Sequence, residues 1–370
     1  MSNSLSKHLN ILSKFPIKEK ILDVKPIGNG HINDTLAVTV EEKEGEQYIK
    51  YILQRINSDI FKDVEGLQDN IFAVTTHITQ KLQEQGVKDL DRKVLTFLHA
   101  SNGRKYHFDG EGGYWRVCLF IPNSVSYEAI TPELAFEAGK AFGKFQCMLA
   151  DIPEGVLKET IPHFHDMTFR LEEFRSAVKA DKVGRASKVS DIIEEIEERA
   201  EQMTIQDRMF AEGKLVKRTN HCDTKVNNIL FDKESNEVLA VIDLDTVMPG
   251  FVLSDIGDFI RTATNTGAED EEDTAKIGVN MDIFKAYTEG YMEYAKEFLT
   301  PEEIKMLPYG GRLMTYMQTV RFLTDYLNGD TYYKTHKPEH NLIRTKAQLA
   351  LLHQLEKYAP EMDAFMEKWL

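Results

Sequence analysis

The sequence predicts an α+β fold of two lobes, a small antiparallel sheet lobe over residues 1–121 and a larger helical lobe over residues 122–370. Three observations carry this. The 370 residues exceed what one hydrophobic core usually serves. Short runs rich in β-branched and aromatic residues crowd the first 121 positions. After Ile121-Pro122-Asn123 the apolar residues recur at helical rather than strand spacing.

In chain order, strands are expected at Ile21 to Ile27, Thr35 to Val40, Tyr48 to Ile56, Lys93 to Leu98 and Tyr114 to Ile121, separated by polar and glycine-bearing turns. One helix interrupts them over Asp69 to Gln85, where Ile71, Val74, Ile78 and Leu82 share a face and Gly86 supplies a stop. The helical part opens at Thr131-Pro132, with threonine to cap and proline suited to the first helical position. Further helices are expected at Met167 to Lys179, Lys188 to Phe210, Asp282 to Phe298, Pro308 to Leu327 and Leu342 to Lys357, and Thr300-Pro301-Glu302-Glu303 has the spacing of a capping box. Two short strands, Asn228 to Phe231 and Val238 to Ile242, intrude around a polar turn.

Sixty acidic against 45 basic side chains give a net charge of −15, which repels a phosphate backbone, so nucleic acid is not an expected partner. No segment approaches the roughly 18 apolar residues of a membrane-spanning helix, and the opening stretch lacks an apolar signal core. Cys118, Cys147 and Cys222 suit reduced thiols better than a disulfide framework. A cytoplasmic monomer acting on a small molecule, with no membrane partner, is the expectation.

The most informative segment is His221-Cys222-Asp223-Thr224-Lys225-Val226-Asn227-Asn228, followed by an apolar run and then Ile242-Asp243-Leu244-Asp245. Phosphoryl transfer from ATP needs a carboxylate beside the attacking hydroxyl, oxygen ligands for Mg²⁺, and positive charge near the γ-phosphate. Asp223 supplies the first, Asn228 and Asp243 the second, and Lys225 the third, while His221 braces the loop. H-x-D alone is also an ordinary turn; the added strand, hairpin and second acid in this order make the kinase pattern specific.

Near the amino terminus, Gly28-Asn29-Gly30 lies between two expected strands, where glycines let a hairpin backbone pass close to ATP phosphates. A dinucleotide fingerprint is excluded because a strand, not a helix, follows the glycines. The expected third-strand lysine of a protein kinase is missing, since Tyr51-Ile52-Leu53-Gln54-Arg55-Ile56 offers only Gln54 or Arg55, and Asp243-Leu244-Asp245 stands in place of Asp-Phe-Gly. These departures favour a small-molecule acceptor. Adenine is expected at the connection near Phe120 to Asn123. Asp255 either accepts hydrogen bonds from the catalytic-loop backbone or caps a helix, His163 and His165 read as ordinary polar residues rather than a zinc pair, and Glu269 to Asp273 reads as a solvated acidic run.

These residues resemble the aminoglycoside phosphotransferase and choline kinase-like family, whose members share the protein-kinase core. Gly-Asn-Gly-His-Ile-Asn at 28 to 33, Thr-Ile-Pro-His-Phe-His-Asp at 160 to 166 and Arg-Phe-Leu-Thr-Asp-Tyr-Leu-Asn-Gly-Asp at 321 to 330 are similar to the members that act on N-acetylated hexosamines. The resemblance covers nearly the whole chain. It implies a bilobal protein-kinase-like fold and ATP- and Mg²⁺-dependent transfer to a sugar's anomeric hydroxyl. Asp223 would be the base, Asn228 and Asp243 the metal ligands, and His31, Arg321 and Tyr332 sugar contacts; a third-strand glutamine matches the family's own choice. Other small alcohols (choline, ethanolamine, homoserine, an aminoglycoside) are the rival acceptors, and a catalytically silent binding module is the rival from another class.

Overall fold

A computed structural model describes residues 2–28, 32–41 and 47–370. In chain order its elements are α1 (Ser2–Leu12), β1 (Lys20–Pro26), β2 (Asp34–Glu41), β3 (Gln47–Ile56), α2 (Val64–Glu84), α3 (Leu90–Lys93), β4 (His107–Phe108), β5 (Tyr114–Leu119) and β6 (Ser124–Val125). There follow α4 (Pro132–Leu149), α5 (Met167–Ala180), α6 (Ser190–Met203), α7 (Ile205–Ala211), β7 (Arg218–Asn220), β8 (Ile229–Asp232), β9 (Val238–Val241) and β10 (Met248–Gly250). The last helices are α8 (Val252–Ala263), α9 (Met281–Ala295), α10 (Pro301–Asn328) and α11 (His340–Met366). The chain divides into two compact units: Met1–Tyr127 with Met148–Pro162 and Asn227–Met248, and Glu128–Cys147 with His163–Val226 and Pro249–Leu370.

The first unit is built on an antiparallel five-stranded sheet in the order β1-β2-β3-β5-β4. Alternation in β2, β3 and β5 turns Val38, Val40, Leu53 and Val117 inward, and Ile11, Leu12 and Phe15 at the end of α1 join that core. Asp63 caps α2 by accepting from the Gly66 N–H at 2.8 Å, and Leu67, Ile71, Val74, Ile78 and Leu82 form its buried stripe. A second sheet, β6-β8-β9, belongs to the same unit, so the hairpin that follows the catalytic loop groups with the larger sheet.

The expected strand Lys93 to Leu98 is not formed. A helical turn ends at Lys93, and the segment makes one isolated bridge, Phe97 to Cys118, with the Leu98 N–H donating to Val117 O at 2.8 Å. Its charged residues are engaged elsewhere: Arg92 pairs with Asp232 at 2.7 Å and Lys93 donates to Val238 O at 3.1 Å.

In the second unit close helix crossings decide the packing. A Cβ on Gly257 of α8 would meet Gly310 O of α10 at 2.2 Å, and one on Gly290 of α9 would meet Phe136 O of α4 at 1.9 Å, so only glycine permits these approaches. The capping box at Thr300 and Glu303 is present, but α10 starts there and runs through Pro308, correcting the expected start at Pro308. Burial of nearly every core-facing residue of this helix outweighs the single backbone hydrogen bond proline removes. The helix expected over Lys188 to Phe210 is broken at Thr204, whose hydroxyl donates back to Ala200 O and Glu201 O at 3.2 and 3.1 Å. Helix α8 is not among the expected helices although Ser254, Asp255, Asp258 and Arg261 recur at helical spacing; the structure buries that polar stripe along with the apolar one, Val252 through Arg261 all being buried. Among the described residues no helix is long and apolar enough to cross a membrane.

Candidate functional site

The loop carrying Asp223 is held from below by one carboxylate. Asp255, on α8 and 1% exposed, accepts from the backbone N–H of His221 and of Cys222, each at 2.7 Å, and from the Gln146 side-chain amide at 2.6 Å. Thr224 donates its hydroxyl to Asp255 O at 2.5 Å. Of the two roles open to Asp255 in the sequence, the loop-holding one is what the structure shows. Burial pushes its carboxyl up to about 6, against the pull of His221 and these donors. The His221 ring meets Phe142 and Phe145 edge-on at 5.6 and 5.7 Å, a packing role. Cys222 has φ +63°, a left-handed kink in the backbone just before Asp223.

Asp223 and Lys225 are paired at 3.1 Å. The Asp223 charge holds the Lys225 ammonium above its ordinary pKa against desolvation, and Asp258 adds to this. Burial would raise the Asp258 carboxyl, but Arg261, at 2.9 Å, and Lys225 hold it below the usual range. Further along the same unit, Arg321 lies over the rings of Phe164 and Tyr333, each at 5.7 Å, and donates to Gln318 Oε1 at 3.3 Å. Tyr332 is 65% exposed, its ring edge-on to Tyr333 at 4.8 Å. Asp325, 4% exposed, fixes this loop by accepting the N–H groups of Thr331, Tyr332 and Tyr333 at 2.9, 2.8 and 3.0 Å.

The first unit holds the other predicted residues. Asn228 precedes β8 and Asp243 follows β9; the Ile242 N–H donates to Asn228 O at 2.9 Å, which sets the two positions side by side, and Asp243 takes φ +58°. Two oxygen-bearing side chains so placed suit Mg²⁺, which is commonly held by one or two protein oxygens plus phosphates and water. Among the described residues no group of three or more acidic, His or Cys side chains forms a fuller metal cluster. Gly28 has φ +72° with open space at its Cβ position, whereas Gly30 and His31 lie outside the described residues. Phe120 is half-buried just past β5, its N–H donating to Lys50 O at 2.9 Å.

The third-strand glutamine is engaged by an arginine of the neighbouring strand. Gln54 of β3 stands opposite Arg116 of β5, and Gln54 Oε1 accepts from Arg116 Nε at 2.8 Å. That orientation lets Arg116, 3% exposed, grip Asp245 with both guanidinium arms at 2.5 and 3.0 Å. Asn33 donates to the same carboxylate while its own oxygen accepts from the Asn57 N–H at 2.9 Å. Arg55, by contrast, makes an exposed pair with Asp34 at 3.9 Å. The signal for Arg116 was available: it is the one charged residue in the apolar run Tyr-Trp-Arg-Val-Cys-Leu.

A family model described as the phosphotransferase enzyme family matches residues 23–291, well over half of the chain. The chain belongs to that family. Its fold is shared with solved structures at low identity. A microcompartment-associated aminopropanol kinase is similar at TM-score 0.63 and 16% identity, over 97% of this chain and 98% of that one. A spectinomycin phosphotransferase in complex with ADP and spectinomycin matches at 0.53 and 13%, covering 99% of each. A Plasmodium vivax ethanolamine kinase matches at 0.52 and 14%, over 88% of this chain and 82% of that one. The bilobal kinase-like fold class expected from the sequence is therefore the observed one, and the chain is a phosphotransferase by family.

Proposed function

We propose that this phosphotransferase is an N-acetylhexosamine 1-kinase, transferring the γ-phosphoryl group of ATP to the anomeric hydroxyl of an N-acetylated hexosamine. The observation that carries the acceptor class is the charge arrangement around Arg321. The acids of that unit's loop region already have cations, Asp223 with Lys225 and Asp258 with Arg261, while Arg321 has no carboxylate partner among the described residues. A cationic amino alcohol needs an anionic or aromatic cage without a competing cation. An uncharged sugar instead needs directional donors and aromatic faces, which Arg321, Gln318, Tyr332 and Tyr333 offer.

In this reading Asp223 orients the anomeric hydroxyl and takes its proton as the oxygen bonds to the γ-phosphorus and the bond to the ADP oxygen breaks. Lys225 neutralises charge on the transferring group. Asn228 and Asp243 would hold Mg²⁺, which supplies charge neutralisation at the phosphates when bound. Gly28 and Gly30 leave room for the phosphates, Phe120 marks the adenine position, and His31, Arg321 and Tyr332 contact the sugar. The spectinomycin phosphotransferase's bound ADP supports an adenine nucleotide as donor, and the protein is proposed to act as a cytoplasmic monomer.

The test is an ADP-release assay with ATP and Mg²⁺ across N-acetylglucosamine, N-acetylgalactosamine, glucose, ethanolamine, choline, homoserine and an aminoglycoside, with the product's reducing end assayed. Turnover confined to the N-acetylated sugars, with loss of the reducing end, is expected. Turnover of an amino alcohol but not of these sugars would overturn the acceptor class.

A further inference from the structure

The pair His163-x-His165 has no place in the mechanism above, yet the two histidines differ sharply. His163 is tied to Asp166 at 2.7 Å and stacks on Phe169. His165 makes no hydrogen bond among the described residues. Its Nδ1 is closed off from solvent without a partner, and its ring stacks on Phe164 at 4.3 Å. Buried polar atoms are nearly always satisfied, so the sealed Nδ1 is an exception, while the ring as a whole is half-buried and its Nε2 edge is the one a ligand could reach.

Its surroundings point to which ligand. Phe164, on which it stacks, is also the ring beneath Arg321. Asp258, Arg321, Arg170 and Arg261 all act electrostatically on His165, and Asp258 also faces Lys225, the partner of Asp223. Through the shared Phe164 ring the imidazole lies in the neighbourhood of Arg321. Burial foremost, with the arginines adding, pushes its pKa down to about 3 despite Asp258. A neutral ring offers one donor and one acceptor, and no hydrogen bond among the described residues fixes which nitrogen carries the proton.

We propose that His165 is a specificity-determining residue of the acceptor site, hydrogen-bonding the acetamido group of an uncharged N-acetylated sugar beside Arg321. This rests on the acceptor reading above and adds a residue and a substituent to it. A matched hydrogen bond to this half-buried imidazole favours acceptors that carry the substituent over those that lack it.

The experiment is steady-state kinetics of His165→Ala and His165→Asn beside the parent, with N-acetylglucosamine, N-acetylgalactosamine, glucose and ethanolamine as acceptors, plus ATP titrations. Loss of one such bond should raise KM for the N-acetylated sugars about 10-fold or more in His165→Ala. KM for ATP should stay within about twofold, the preference over glucose should collapse, and His165→Asn should recover part of the loss. Unchanged acceptor KM in both variants overturns the proposal, as does an equal rise in both substrates' KM. If the alanine variant does not fold, judged by thermal melting, the asparagine variant decides: a preference over glucose equal to the parent's overturns the proposal and a reduced one supports it. If the parent uses only a different acceptor, the function reading fails first, and the acetamido contact falls with it.

Discussion

Replacing Asp255 by asparagine separates what this carboxylate does for stability from what it does for the reaction. In the parent, three donors converge on it: two backbone N–H groups at 2.7 Å and the Gln146 amide at 2.6 Å. Asparagine has a single acceptor oxygen, so at least one backbone N–H must face an NH₂ group, leaving unsatisfied groups worth about 1–3 kcal/mol each. Opposing this, the native pKa of about 6 against the ordinary 3.8 of an aspartate means that the ionised form is disfavoured in the fold by about 3 kcal/mol. The two effects are of similar size, so the melting temperature at pH 7.5 should shift little.

Catalysis has no such offset, because the loop presenting Asp223 loses its fixed geometry, and displacement by about 1 Å costs on the order of 10² in turnover. Because the native pKa is raised, the carboxyl's contribution is fully present below about pH 4 and is lost as pH rises through 6, so the parent's stability relative to Asp255→Asn should grow from pH 8 to pH 5. Melting curves at pH 5, 6.5 and 8 and phosphate-transfer rates at pH 7.5 read both effects. A variant with turnover within threefold of the parent would refute the loop-holding role; a stability difference that shrinks toward low pH would refute the buried-acid account.

If Asp223 is the base, as proposed, Asp223→Asn should lower turnover on the order of 10² to 10⁴ with nucleotide affinity retained, measured by single-turnover transfer. Arg116→Leu leaves the buried Asp245 carboxylate without its cation and should destabilise the protein by roughly 3–5 kcal/mol in denaturant melts, while Arg116→Leu with Asp245→Leu should recover part of this; a double variant no better than the single would refute the pairing argument. Gly257→Ala forces α8 and α10 apart at the 2.2 Å approach and should lower stability by about 1–3 kcal/mol or more, read as a melting shift of several degrees.

Several parts of this molecule were legible from local spacing. The order of strands β1 to β3 and β5, the stripe of α2 and the Thr300 capping box are all set by residues a few positions apart, and the structure places them within a few residues of expectation. The signals that misled were local ones overruled by packing. Pro308 reads as a helix start but lies inside α10, Thr204 reads as helical but breaks the run, and α8, whose polar stripe was legible, is buried on that stripe too. The acid at 255 was visible, but not which groups it accepts, since its donors lie 33 and 34 residues away in sequence.

The sequence by itself determined the fold class and the chemical types needed for phosphoryl transfer, because a short loop must carry its acid, amide and cation at fixed spacing whatever surrounds it. Only the tertiary structure decided that Arg116 pairs with Asp245 beside Gln54, and that, among the described residues, Arg321 has no acidic partner and His165 Nδ1 has no hydrogen bond. Each of these depends on which side chains from distant segments arrive in a buried space and which do not, and burial is what turns a missing partner into a demand for a ligand.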